Sequence, residues 1–330
     1  MHPEMRLATL IAALLLSCEP QPAAAADRPE NVTACDFYTQ KTIGDITPAN
    51  QQLLMTLVLH SALLGPYSEY NTVPVDDFTG ALHPRQYQGS YVDLSVYFNG
   101  ALASANTGKG HGEAVNFLDD GGLPLALQSK PGNGNTQSNQ YVFFTHVYSY
   151  FGTFLGCSTL GATAFPPYVG KASMYEVHKY MDLNAAEMGY FIEQAVKGLV
   201  SFGFSDADAQ FVNATLGGKF NERCAPAEPI VPASAGPQLQ AICIAPDCAL
   251  SPNDTCSAYG DVTVPAVADA TLAGNFTKDA SGQTSLNVSG TTPSATPTPA
   301  SGDGGLVVGV DMMGVLLTLL GFGAFAVMEL

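Results

Sequence analysis

The sequence predicts a mainly α fold, and three patterns within its 330 residues carry that prediction. A hydroxyl residue and a proline, Thr47-Pro48, precede a leucine-rich run at helical spacing. A stretch over 138–156 is apolar on two helical faces. Three further stretches, opening at Ser173, Asn184 and Ser205, set a short polar side chain three residues before an acid, the signature of a capped helix start.

In chain order, Thr47 can accept from the free amides of a first turn. Pro48 suits the first helical position because an amide there would be unpaired anyway. Leu53, Leu54, Leu57, Val58 and Leu64 continue at helical spacing, and Gly65-Pro66 ends the run. Residues 66–136 read differently: Gly, Pro, Asn and Asp punctuate short apolar pieces at 91–98 and 114–118. This predicts a long irregular insertion with a little strand or short helix. In the next helix Tyr141, Phe144, Tyr148, Phe151 and Leu155 form one row, and Phe143, Val147, Tyr150 and Phe154 a second. Such a helix is expected between two layers. A short helix follows Ser173 and ends near Met181. A longer one follows Asn184, with Met188, Phe191, Ile192, Ala195, Leu199 and Phe202 inward, and a last one runs from Ser205 to Gly217-Gly218. Residues 225–261 form a Pro- and Cys-rich extension expected to staple itself against the helical body. Residues 262–301 read as a glycosylated Ser/Thr/Pro stalk.

The two ends look like addresses. Residues 1–26 combine Arg6, an apolar run and an Ala-rich stretch, as a secretory signal peptide does. Residues 302–330 end the chain in an almost wholly apolar tail with no basic flank, the pattern of a glycolipid (GPI) attachment propeptide. Ser301 is the preferred attachment residue, with Ser289 and Ser294 as rivals; the other reading is a single-pass membrane anchor. The chain is therefore expected at the cell surface, secreted and lipid-anchored to plasma membrane or wall, as a surface protein of fungal type. Twelve Lys and Arg against 29 Asp and Glu leave a net charge of −17, which repels phosphate backbones and argues against nucleic-acid partners. Of seven cysteines, Cys18 leaves with the signal. Cys35, Cys157, Cys224, Cys243, Cys248 and Cys256 remain, an even set expected to form disulfides whose pairing spacing does not reveal. Sequons at Asn31, Asn213, Asn253, Asn275 and Asn287 agree with export.

Five histidines survive processing: His60, His83, His111, His146 and His178. Two stand in a distinctive context. Leu155-Gly156-Cys157 ends a buried helix and Tyr168-Val169-Gly170 forms a turn. Ser173-Met174-Tyr175-Glu176-Val177-His178 and then Leu183 follow, and a long amphipathic helix ends at Ser201-Phe202-Gly203-Phe204. Over 140–211 this arrangement resembles the truncated haemoglobins. The resemblance implies a truncated-globin-like helical domain over 27–224, with the irregular insertion at about 66–136 and a disulfide-rich extension behind it. It also implies haem b as cofactor, with His178 as the proximal iron ligand and Met174 at the haem edge. Tyr168 and Gly170 would shape the turn beside the ligand. His146 would lie on the distal side, as a sixth iron ligand or as a hydrogen-bond donor to a bound gas. Phe143 and Val147 would line the pocket, and Phe98 would wedge against the ring. Cys157 stands where that family has a second glycine, and the loop from there to Tyr168 is longer than usual.

Independently of the resemblance, two imidazoles on facing apolar helices would bracket a flat apolar slot, and haem iron takes neutral imidazole on one or both sides. The implied function is haem-based: binding O2, NO or CO, or turning over peroxide or nitric oxide in a peroxidase or dioxygenase reaction. The competing reading is a haem-free, GPI-anchored surface glycoprotein with an adhesive or wall role. A secreted hydrolase finds little support. There is no Gly-x-Ser-x-Gly elbow, Asp119-Asp120 beside two glycines reads as a turn, and His111 sits in a glycine loop.

Overall fold

In the computed structural model, which describes residues 28–279 and 282–286, an almost fully buried helix forms the centre. The predicted signal peptide, Asn287, Ser301 and the apolar tail lie outside the described residues. Among the described residues, no helix is long and apolar enough to cross a membrane.

The chain opens with α1 (Ala34–Tyr38), continued by a π-turn at Thr39–Ile43, and then enters α2 (Pro48–Leu64). Thr47 caps α2 by accepting from the Asn50 amide, with Pro48 in its first turn. Leu54, Met55, Leu57, Val58, Leu59, Ala62 and Leu63 are all buried, so the helix is covered on every side. Its last carbonyls do not go to water. Ala81 donates to Ala62 O at 2.8 Å and Leu82 to Leu63 O at 2.9 Å, which meets the need of a buried helix end. That crossing requires Gly80: its φ is +84°, and a Cβ there would lie 2.3 Å from the Gly65 nitrogen.

The stretch over 66–136 is not irregular, and this overturns the mainly α expectation. It holds the hairpin β1 (Arg85–Tyr87) and β2 (Ser90–Val92), a 3-10 turn at Leu94–Tyr97, the hairpin β3 (Asn99–Ala105) and β4 (Glu113–Asn116), and α3 (Gly122–Ala126). Gln88 and Gly89, at φ +48° and +84°, supply the tight turn between β1 and β2. Val92, Leu94, Val96, Tyr97, Ala101 and Leu102 from this stretch enter the main core. Among the described residues, helix accounts for 39% and strand for 13%, so the architecture is an α/β mixture rather than a mainly α, truncated-globin-like domain. Strands this short show no alternation in sequence, which is why their glycines and asparagines read as loop.

The remaining helices are α4 (Asn139–Phe154), α5 (Met174–His178), α6 (Ala185–Ser201) and α7 (Asp206–Phe220). Their N-caps are Ser138, Ser173, Asn184 and Ser205, and Asn184 with Glu187 forms a reciprocal capping box. In α4, Phe144, Tyr148 and Tyr150 are buried, while Phe143, Val147, Phe151 and Phe154 are half-buried, so one face is fully covered and the other only partly. Helix α7 runs through Gly217-Gly218 rather than stopping there. Phe220, buried at its end, accepts at its carbonyl from Ile242 and Cys243, and that anchorage outweighs the glycines' helix cost of about 1 kcal/mol each.

The extension does staple itself to the body. β5 (Glu222–Arg223) pairs in parallel with β6 (Ala249–Leu250). Three disulfides join Cys35 to Cys157, Cys224 to Cys256 and Cys243 to Cys248, so every cysteine of the predicted mature chain is paired. The presumed stalk starts later than Val262. Residues 266–279 and 282–286 form a strap with α8 (Ala270–Ala273), β7 (Phe276–Lys278) and β8 (Thr284–Leu286). Ala103 donates to Ala266 O and Ala268 to Ala101 O, both at 2.8 Å, and Phe276 is buried. Asn31, Asn213, Asn253 and Asn275 are exposed, as glycan attachment requires.

His60 lies at the centre of α2 and is wholly buried. Its Nδ1–H donates to Ala126 O at 2.7 Å, and its Nε2 accepts from the Tyr148 hydroxyl. Burial pushes its pKa down to about 4, so the folded protein holds the neutral ring. A histidine depressed in this way stabilises fully above its unfolded pKa and loses that contribution as pH falls through the window from 6.5 to about 4. Urea unfolding is expected to show roughly 3 kcal/mol less stability at pH 4 than at pH 7.5 from this group. In His60→Gln that part of the slope should be missing. Identical slopes in the two proteins would show that His60 is not the acid-sensitive group.

Candidate functional site

Helix α5 is short and depends on its surroundings for its position. Ser173 Oγ accepts from the Glu176 amide at 3.2 Å and donates to Leu239 O at 2.6 Å. The Met174 amide donates to Gln240 Oε1 at 3.2 Å, and the Tyr175 ring stands edge-on to Tyr259 at 4.7 Å. The Cys-rich extension therefore orients the helix that carries His178. Met174 is buried in the main core.

His178 ends α5 with its ring partly buried. Its Nδ1–H donates to Met174 O at 2.8 Å, one helical turn back, and Nε2 has no hydrogen-bond partner among the described residues. Burial lowers its pKa, with the Met174 carbonyl partly opposing. The ring is thus held neutral, with one nitrogen's proton committed to a carbonyl and the other nitrogen's lone pair unused. A carbonyl behind one nitrogen is the usual support for a histidine that ligates metal through the other.

His146 lies half-buried on α4, and desolvation lowers its pKa. Its ring meets Tyr168 edge-on, with centroids 6.0 Å apart. Tyr168 also stands edge-on to Tyr150 at 5.3 Å and donates its hydroxyl to Lys171 O at 2.8 Å. This folded-back ring explains Gly170: a Cβ there would lie 2.3 Å from the Tyr168 hydroxyl. Burial raises the Tyr168 pKa to about 12. Phe143, one turn before His146, packs against Phe98 at 5.4 Å, Phe117 at 5.6 Å and Phe144 at 5.1 Å. Val147 is half-buried against the same core.

The residues picked from sequence therefore fall into two groups. His146, Tyr168, Phe143, Val147 and Phe98 line one side of α4, whereas Met174 and His178 belong to α5 and its support. Among the described residues, no hydrogen bond or ring contact joins His146 to His178. A cavity of about 20 Å³ lies among α2, α4, α6 and α7, and a cleft of about 250 Å³ opens beside Arg28 and Phe211; neither borders either histidine. Among the described residues no group of three or more His, Cys, Asp or Glu side chains is placed to hold a bare metal ion.

Sequence reasoning passed over Tyr150. It sits one helical turn after His146, is buried, and its hydroxyl has no hydrogen-bond partner among the described residues. The His146-x-x-x-Tyr150 spacing was the available signal, but the tyrosine counted only as part of an apolar row. A buried donor without a partner costs about 1–3 kcal/mol, so it is a place where a bound group would be favoured. No family model, curated protein or solved structure matches this chain.

Proposed function

We propose that this chain holds haem b through His178 at the outer cell surface and uses it to bind a diatomic gas or to turn over peroxide or nitric oxide. The observation that carries the reading is the His178 ring: neutral, backed by Met174 O, and with Nε2 unengaged. A neutral imidazole with an uncommitted lone pair is donor chemistry that suits an iron porphyrin, while Tyr150, its hydroxyl unpartnered among the described residues, stands with His146 on α4 rather than with His178. Haem would supply an iron that binds small ligands; the protein supplies the imidazole in its neutral tautomer. Tyr168 stands against the His146 ring, so the reading is of one axial histidine, with His146 and Tyr150 as the polar groups on α4. The resemblance of 140–211 to truncated haemoglobins, stated on sequence, adds to this reading.

Reconstitution with haem and an absorption scan test it. The wild type should give a Soret band with a high-spin spectrum. His178→Ala should weaken haem retention by more than about a hundredfold, with added imidazole restoring it. His146→Ala should keep haem. The reading falls if the wild type takes up no haem or if both variants keep the wild-type spectrum.

A second reading has its own support. Four exposed sequon asparagines and three disulfides suit a haem-free surface glycoprotein, exported and lipid-anchored, that works through contacts. The same absorption scan separates the two.

A further inference from the structure

Two carboxylates, Glu187 and Asp182, are buried at the junction of the body and the strap, and only Glu187 is paired with the ammonium there. Lys278 Nζ on β7 lies 2.7 Å from Glu187 Oε2 on α6, with both side chains at most 2% exposed. Tyr97 OH donates to Glu187 Oε1 at 2.8 Å, and Lys278 Nζ donates to Tyr97 OH at 2.9 Å. The Asn184 amide also donates to Glu187 Oε2, at 3.0 Å. Glu187 is therefore fully matched. Asp182 is not: it is 0% exposed, and neither of its oxygens has a hydrogen-bond partner among the described residues.

The strap closes over this acid. An ideal Cβ at Gly282, where φ is +79°, would lie 3.2 Å and 3.3 Å from the two Asp182 oxygens. Gly282 O accepts from Asn184 Nδ2 at 2.9 Å, and Gln283 Nε2 donates to Asp247 Oδ2 at 2.7 Å. The charged and titratable groups facing Asp182 are Lys278 and Asp279 from the strap, Glu187 from α6, Tyr97 from the 3-10 turn and Asp247 from the disulfide loop. One cation thus faces four carboxylates, Asp182 included. An ionised, unpartnered carboxylate costs several kcal/mol when buried, and a protonated one far less.

We infer that the strap is a proton-operated latch: it stays closed over Asp182 when that acid is protonated and opens more readily when it ionises. Asp182 titrates at about 6 in the folded chain, because burial raises it and the neighbouring acids add to this, while Lys278 opposes. Opening returns the carboxyl to water and to its ordinary value of 3.8. The sign is set by that difference. The closed state binds the proton more tightly, so closure is favoured in acid and loses strength as pH rises from 3.8 towards 6. This is opposite to His60, whose contribution falls in acid, so a global melt mixes the two and a local measurement is needed. The strap is the last described segment and occupies the first part of the predicted stalk. Its state therefore sets where the folded body ends and the tether begins.

Hydrogen exchange read by mass spectrometry on the mature chain, corrected for intrinsic exchange rates, tests this. Protection of amides in 276–286 is expected to fall roughly fiftyfold between pH 4 and pH 7.5, with no such fall in 144–151. In Asp182→Asn the fall should vanish. That variant suits the site because Asp182 has φ +51°, a conformation asparagine tolerates. Asp247→Asn, at an exposed position, provides a second route: removing one neighbouring charge should shift the midpoint to lower pH without flattening the curve. Protection in the wild type that does not change with pH, or a slope that survives in Asp182→Asn, overturns the latch. So does an effect of added calcium or of a chelator on protection at pH 7.5, since a cation would then be satisfying the acid.

Discussion

Replacing Cys35 and Cys157 together by alanine is expected to lower the unfolding free energy by on the order of 5 kcal/mol, the largest loss among the three disulfides. The bond spans 122 residues, whereas Cys224–Cys256 spans 32 and Cys243–Cys248 spans 5. In the chain-entropy account, a cross-link acts on the unfolded ensemble by the logarithm of the loop it closes. The expected order is therefore 35–157, then 224–256 at about 4 kcal/mol, then 243–248 at about 2 kcal/mol. Native geometry near the first bond does not depend on sulfur alone, because the Cys35 amide donates to Leu155 O at 3.0 Å and the Cys157 amide to Gly152 O at 2.8 Å. The double variant should therefore keep its native spectrum while its denaturation midpoint falls. Guanidinium titrations of the three double variants check this; if removing Cys243–Cys248 costs most, unfolded-state entropy is not what governs these bonds.

Lys278→Met is expected to produce the second large effect. It leaves Glu187 buried without its ammonium, beside an unpartnered Asp182. Breaking one side of such a pair typically costs about 3–5 kcal/mol, because the remaining charge keeps its desolvation penalty and loses its partner. The strap can detach without unfolding the central helices, so the cost should appear first as lost exchange protection in 276–286, by more than a hundredfold, with a smaller shift in global melting. Adding Glu187→Gln removes the stranded charge: the amide oxygen still accepts from the Asn184 amide, and the amide nitrogen can donate to Tyr97 OH, which no longer receives a proton from Lys278. The double variant should recover much of the loss. If it is as open as Lys278→Met alone, the ion pair is not what holds the strap.

Much of the helical framework was legible. The starts of α2, α4, α5, α6 and α7 follow from Thr47, Ser138, Ser173, Asn184 and Ser205, each of which accepts a backbone amide within its own first turn. The candidate site was legible only in part. The sequence placed Met174 at the edge of a presumed haem; that its carbonyl backs the His178 ring, one helical turn on, is seen only in the structure. The pairing of His146 with Tyr168, and the burial of Tyr150 beside them, depend on how a loop folds back onto α4.

By itself, then, the sequence determined what operates over three or four residues: where helices begin, which faces are apolar, and that the cysteines after the predicted signal peptide come in an even number. Tertiary structure decided everything that joins distant segments. Cys35 meets Cys157 across 122 residues, Ala81 completes the end of α2, and Lys278 reaches Glu187 across 91. It also turned a glycine-rich stretch into two hairpins, and part of a presumed stalk into a strap anchored by a few buried residues. The physical reason is one of range. A cap or an apolar stripe is satisfied by neighbours in the chain, whereas short strands and buried charges are stable only against partners that folding brings to them.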